Sequence, residues 1–308
     1  MTYAGGGLQY FDENGFQAKG TKYVTPDGKL YFFDKNSGNA YTNRWAEIDG
    51  IWYEFNDQGY AQATKGEFYT TDGSTWFYRD AAGKNVTGAL TLDGHEYYFR
   101  ANGAQVKGEF VTENGKISYY TVDNGYKVKD KFFEVNGKWY HADKDGNLAT
   151  GRQTIDHLNY YFNADGSQVK SDFFTLDGGK TWYYAKDNGE IVTGAYSVGG
   201  KNYYFKEDGS QVKGDFVKNA DGSLSYYDKD SGERLNNRFL TTGNNVWYYF
   251  KDGKAVTGRQ NIDGKEYYFD KLGRQVKGSP ISTPKGVEYY ESVLGERVTN
   301  TLNRSDYL

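Results

Sequence analysis

The stretch NYYFNADGSQVKS, residues 159–171, returns with small edits as EYYFRANGAQVKG at 96–108, NYYFKEDGSQVKG at 202–214 and EYYFDKLGRQVKG at 266–278. The copies start 63, 43 and 64 positions apart, close to three, two and three multiples of about 21 residues, a period typical of repeat architectures. A second phrase keeps the same spacing: STWFYRDAAGKNVTG (74–88), KWYHADKDGNLATG (138–151), KTWYYAKDNGEIVTG (180–194) and VWYYFKDGKAVTG (246–258). Each of these ends directly before a module of the first kind. Every unit reads as a short aromatic run, three or four polar residues, a glycine and a short run containing valine.

Seventeen Asp-Gly or Asn-Gly pairs punctuate the 308 residues. Such pairs between β-prone runs are the strongest local signal for a hairpin with a type I′ turn. Tyr, Phe, Trp, Val and Thr suit strands, and no stretch carries a helical period. A lone hairpin is unstable in water, whereas stacked neighbours bury one another's aromatic rings. The expected fold is all-β: an elongated β-solenoid of about fourteen stacked hairpins of about 21 residues. It is expected to form one domain over residues 1–308, without linkers. Composition agrees, with 31 Tyr and 19 Phe but one Met and no Cys. Aromatic rings must therefore supply most of the burial, each contributing about 4–6 kcal/mol as an upper bound.

A register follows if Asn102-Gly103 is taken as the turn. Arg100 then pairs with Gln105, Phe99 with Val106 and Tyr98 with Lys107. Opposed residues share a face and neighbours alternate. Tyr97, Phe99 and Val106 therefore face inward, while Tyr98, Gln105 and Lys107 converge outside. The same register buries Phe162 with Val169, Phe205 with Val212 and Phe269 with Val276. It gathers Tyr161, Gln168 and Lys170 outside, then Tyr204, Gln211 and Lys213, then Tyr268, Gln275 and Lys277. The early copy QYFDENGFQAKG gives Tyr10, Gln17 and Lys19. Replacing such outward Gln and Lys residues by Ala is expected to leave the fold intact.

A repeat needs its turns and its buried residues, but it does not obviously need a fixed Gln-x-Lys. An exposed ring beside an amide and an ammonium group suits a carbohydrate, because the ring covers the apolar C–H face and the polar groups meet hydroxyls. The bland reading makes Tyr a cover for the next hairpin and leaves Gln and Lys merely solvated. The residues between Phe and Gly change freely, as RAN, NAD, KED and DKL, while Gln and Lys recur. That contrast favours a ligand.

The other function classes find little support. Net charge is −4 with Lys and Asp interspersed, which argues against a nucleic-acid groove. The apolar runs are far too short to span a membrane. MTYAGGGLQY lacks the features of a signal peptide, and Met1 reads as an added start on a fragment of a longer protein. Without Cys there are neither disulfides nor thiolate metal sites. His95, His141 and His157 are scattered among modules, and DKDSGE (228–233) and DKDGN (143–147) lack the ligand alternation of a calcium loop. No carboxylate pair stands out as a glycosidase pair. The expectation is a binding module with no catalytic residue, cofactor or metal.

GRQTIDHLNYYFNADGSQVKSDFF (151–174) and GRQNIDGKEYYFDKLGRQVKG (258–278) resemble the glucan-binding repeats of glucansucrases, the secreted dextransucrase-type glucosyltransferases of lactic acid bacteria and oral streptococci. The resemblance covers nearly all of the chain and is most specific from YYF to QVKG. It implies a non-catalytic module that holds α-glucan or isomalto-oligosaccharide, covalently linked to a separate glucosyltransferase core absent from these residues. It also implies a secreted, cell-surface setting. The pockets it implies combine a ring, Gln and Lys of one repeat with an aromatic of the next, here Tyr120, Tyr184, Tyr227 and Tyr290.

Several positions depart from that pattern. Ser171 and His157 replace glycines, Gln9 stands where the first Tyr belongs, and the Gln62-to-Lys65 spacing is stretched. Choline-binding repeats of pneumococcal surface proteins are similar hairpins, but they typically place Trp just after the TG of one repeat. This chain has Ala89, Arg152, Ala195 and Arg259 there. Clostridial toxin repeats also resemble IDGKEYYF, yet they alternate with longer repeats not seen here. A ligand-free structural spacer is the remaining alternative.

Overall fold

The Asx-Gly pairs split into two conformational classes in the computed structural model, which describes residues 1–49, 51–61, 66–80 and 84–298. In the first class both central residues adopt positive φ, as a type I′ turn requires. Asp93 and Gly94 stand at 49° and 80°, Asn136 and Gly137 at 51° and 78°, Asp263 and Gly264 at 52° and 82°. Each such pair closes a tight antiparallel hairpin. Gly88–Leu92 pairs with His95–Phe99 in the register Leu92↔His95 to Gly88↔Phe99. Lys131–Val135 pairs with Lys138–Ala142, and Gly258–Ile262 with Lys265–Phe269.

In the second class only the glycine crosses to positive φ, as at Gly103 (82°) and Gly209 (83°). Arg100 N donates to Ala104 O at 2.8 Å, and Gly103 N donates to Arg100 O at 2.8 Å. A three-residue loop results, and Phe99 bridges Gln105. This corrects the sequence register by one residue: Gln105 lies opposite Phe99, not Arg100. The cause is the run of polar residues before the glycine. Asn102 Oδ1 accepts from Ala104 N at 3.0 Å, so the side chain closes the wider turn and Asn102 keeps negative φ. Asp143 and Asp228 do the same in the segments with a faint calcium-loop look, each carboxylate accepting backbone N–H groups of its own turn.

The chain divides into two compact units, Met1–Ala149 and Thr150–Leu308. Seven hairpins are described in each, which gives the expected fourteen. Instead of one large core, each unit holds a series of small clusters between successive hairpins. Tyr119, Val128, Tyr140, Ala142 and Leu148 form one in the first unit; Tyr184, Val192, Tyr203 and Phe205 form one in the second. Phe99, Phe162, Phe205 and Phe269 are almost fully buried, as are Val106 and Val212. Val169 and Val276 are half-buried.

Within each unit two links tie modules to their neighbours. The residue that follows a three-residue turn donates its backbone N–H to a strand of the preceding hairpin: Gln105 N to Trp76 O, Gln211 N to Trp182 O and Gln275 N to Trp247 O, all at 2.7 Å. The intervening modules repeat the link with Lys127 N to Glu96 O at 2.8 Å and Arg234 N to Asn202 O at 2.7 Å. The second link points forward. The Gln105 amide lies where a Cβ on Gly125 would be, with Nε2 only 2.4 Å from that position, and Gln168 meets Gly189 and Gln211 meets Gly232 likewise. A bare glycine in one turn is thus the seat for the glutamine of the module before it.

Candidate functional site

That seat gives Gln and Lys definite partners. Gln105 Nε2 donates to Asn124 O and Lys107 Nζ to Asp123 O, both at 2.9 Å. Gln211 donates to Ser231 O at 3.3 Å and Lys213 to Asp230 O at 2.9 Å. Gln275 donates to Leu294 O at 2.8 Å and Lys277 to Val293 O at 2.9 Å. In the first copy Gln17 meets Ser37 O at 3.2 Å and Lys19 meets Asn36 O at 3.0 Å, and Gln168 meets Asn188 O at 3.5 Å. Lys170 is half-buried. The sequence reading set these side chains free on an outer face. In fact the following turn covers them, which is why Gln105 and Gln211 are each only 9% exposed. Gln62 and Lys65 lie outside the described residues.

Each amide keeps its carbonyl oxygen and one N–H, and each ammonium two N–H groups, beyond these bonds. An aromatic platform stands beside three of them. Lys107 Nζ lies 5.4 Å from the Trp76 ring centre, Lys213 Nζ 5.5 Å from Trp182 and Lys277 Nζ 4.7 Å from Trp247. Such cation–π contacts are worth about 0.5–1 kcal/mol at exposed sites and hold the ammonium over the ring. The three indoles are half-buried, each with part of its surface open. Sequence reasoning missed this role for Trp, although Trp precedes its Gln by 29, 29 and 28 positions in the second phrase.

The tyrosines serve differently. Tyr98 and Tyr120 approach to 5.9 Å between ring centres, as do Tyr204 with Tyr227 and Tyr268 with Tyr290. Tyr161 instead stacks on Phe174 at 4.7 Å, while Tyr184 packs edge-on against Phe173. Tyr10 stacks on Tyr23 at 4.0 Å. Tyr120, Tyr184, Tyr227 and Tyr290 are buried. Burial pushes the Tyr120 phenol up to about 12. The Tyr97 phenol also rises to about 12, through burial and the neighbouring Tyr126 hydroxyl. Both act as neutral groups at any physiological pH.

Two clefts open where the indole, amide and ammonium meet. One, of ≈ 210 Å³, is walled by Trp76, Gln105, Lys107, Asn124 and Tyr126. Its counterpart, of ≈ 570 Å³, is walled by Trp247, Gln275, Lys277, Val293 and Leu294. Each joins three consecutive modules: the ring from the first, the polar pair from the second, the lip from the third. The mixture of one apolar face with several donors and acceptors is chemically suited to a polyhydroxylated ring.

The sequence matches the "Choline-binding repeat" profile over residues 4–45, 86–132, 149–196, 192–239 and 256–302. It matches a cell wall binding repeat at 130–148 and 237–253. Among curated proteins it is similar to glucosyltransferase-S of Streptococcus mutans, with 34% identity over 96% of this chain and 16% of that protein. It is also similar to glucosyltransferase-I of S. mutans, with 39% identity over 97% of this chain and 20% of that protein. The chain thus spans no more than a fifth of the curated relatives it matches. Among solved structures it is similar to the choline-binding domain of CbpL from Streptococcus pneumoniae, at 26% identity and TM-score 0.48 over 62% of this chain and 97% of that one. It is also similar to CbpJ from S. pneumoniae, at 22% identity and TM-score 0.46 over 89% and 98%.

Proposed function

Because the chain belongs to the family of choline-binding and cell wall binding repeats and is homologous to the repeat region of glucosyltransferases, we propose that it holds α-glucan. It does so as a non-catalytic module through several weak, repeated clefts. The observation that carries this reading is the recurrence of an indole beside a Gln amide and a Lys ammonium at 76/105/107, 182/211/213 and 247/275/277, with a cleft at the first and the last. The ring takes the C–H face of a glucose unit. The remaining amide and ammonium groups bond its hydroxyls, and the pairs Gln17/Lys19 and Gln168/Lys170 add further contacts. The tyrosine pairs Tyr98 with Tyr120, Tyr204 with Tyr227 and Tyr268 with Tyr290 join successive modules and do not wall the two clefts. Residues 1–308 act as one glucan-binding region, covalently linked to a glucosyltransferase core and exported to the cell surface with it.

A hydrogen bond to a solvated sugar contributes only about 0.5–1.5 kcal/mol net, so single clefts are weak. Several clefts engaging one polymer raise retention by about 10²–10⁴. Choline is disfavoured by charge. The Arg152 guanidinium already lies 5.6 Å over the Tyr183 ring, and Arg259 is paired with Glu288. Native electrophoresis in gels with and without embedded dextran tests the proposal. Retardation in dextran, unaffected by millimolar choline and without glucose or fructose release from sucrose, is the expected result. Equal migration in both gels overturns it.

A further inference from the structure

A third cleft, of ≈ 730 Å³, contains neither Gln nor Lys; it is walled by Asn43, Arg44, Trp45, Glu54, Asn56 and Asp57. It sits on the hairpin Arg44–Ile48 with Ile51–Phe55, where Trp45 pairs with Glu54 across the strands and so shares its face. Asn43, at φ 46°, donates its N–H to Asn56 O at 3.0 Å, which draws the two strand ends together into one polar rim.

Trp45 is 55% exposed. At the same strand position Phe110, Phe216 and Phe239 each pack against a ring of the next hairpin, Tyr140, Tyr248 and Tyr267. Trp45 has no such ring partner among the described residues. The carboxylates around it are unspent as well. Among the described residues the Glu54 and Asp57 carboxylates enter no hydrogen bond or ion pair, while Arg44 covers the Tyr41 ring at 4.2 Å and, with the Ser37 backbone N–H, helps hold the Asp34 carboxyl below its ordinary value. Two free carboxylates, a guanidinium and two amides thus ring an open indole in a concave surface.

We propose that this cleft is an additional sugar-ring site, built on a different set of groups from the Gln-x-Lys clefts. The indole takes the C–H face of a glucose unit. Glu54 and Asp57 accept from its hydroxyls, a carboxylate being able to accept two at once, and Arg44 donates. The charges decide among ligand classes: two carboxylates oppose an anion, the guanidinium opposes a cation, and donors plus acceptors suit a neutral polyol. The inference rests on the glucan-binding reading above.

The test follows the indole N–H resonances of the six tryptophans in the full ¹⁵N-labelled chain during titration with isomaltotriose, Trp45→Phe identifying the Trp45 peak. The Trp45 peak is expected to move. It should still move when Gln105, Lys107, Gln211, Lys213, Gln275 and Lys277 are all replaced by Ala. Glu54→Gln with Asp57→Asn should weaken binding read at that peak by about tenfold, with the other indole peaks reporting an intact fold. If the Trp76, Trp182 and Trp247 peaks move while Trp45 stays still, the added site is refuted and glucan binding stands. If no indole moves with isomaltotriose or dextran, both readings fall. If choline chloride moves Trp45 and isomaltotriose does not, the cleft is a cation site and the inference is overturned.

Discussion

Gly125→Ala and Gly115→Ala place the same methyl group on backbones of nearly the same conformation, φ 70° and 76°. A Cβ on Gly115 meets nothing within 4 Å. It should cost only the left-handed backbone penalty, about 1–2 kcal/mol. A Cβ on Gly125 would lie 2.4 Å from Gln105 Nε2 and 2.9 Å from Val106 O. Seating it expels the amide, losing about 0.5–1.5 kcal/mol with the Gln105 hydrogen bond. It also presses on backbone that cannot rotate away, an overpacking cost of about 1–3 kcal/mol. Gly125→Ala is therefore expected to exceed Gly115→Ala by about 1.5–4.5 kcal/mol. Modules in a repeat chain open locally, so urea unfolding should be joined by hydrogen exchange at the Gly125 and Val128 amides. Gln105→Ala should relieve part of the Gly125→Ala cost, because it empties the seat but leaves Val106 O in place. Equal costs for the two glycines, or no relief from Gln105→Ala, would refute the seat.

His157 holds φ 68° in a type I′ turn whose equivalents carry glycine, so His157→Gly should stabilise the second unit by about 1 kcal/mol in urea unfolding. Gln105→Ala with Lys107→Ala should speed exchange at the 121–126 turn, whose carbonyls they hold, while circular dichroism of the chain stays β-rich. Asp177 is lowered to about 2 by the side chain and backbone N–H of Thr181, and Asp208 is lowered by the Ser210 hydroxyl and N–H. A carboxyl whose folded value lies below its unfolded one stabilises above the unfolded value and loses that contribution as pH falls through the folded one. Turn protection should thus persist at pH 5 and fade from about pH 4 toward pH 2 in acid titrations followed by exchange.

The hairpins and their buried faces were legible because aromatic alternation and Asx-Gly spacing are local signals. Phe99, Phe162, Phe205 and Phe269 lie inside as that alternation requires. The register after Phe99 was not legible from the Asn102-Gly103 pair alone, since the same dipeptide serves two turn geometries. The residue before the pair does not sort the two geometries: Leu-Asp-Gly is tight at 92–94, but at 176–178 only the glycine takes positive φ. The platform was hidden for another reason. Trp76 and Gln105 meet only because a backbone bond carries Gln105 back to the preceding hairpin, a join that no pattern within one module announces. The recurrence of Gln also has a structural cause that the sequence alone could not supply: the amide fills the space over the next glycine.

The direction of those joins bears on how the chain acquires its shape as it is made. Each backbone donor, such as Gln105 N or Arg234 N, finds its acceptor on a strand already synthesised, Trp76 O or Asn202 O. Within each unit a newly emerged module can therefore dock at once, with no need to await a distant partner, and the loop it closes spans about one and a half repeats. Only the glutamine seat must wait, because its glycine arrives one module later. Growth from the amino end thus leaves a single unfinished joint at the moving tip, and every earlier joint is already closed behind it.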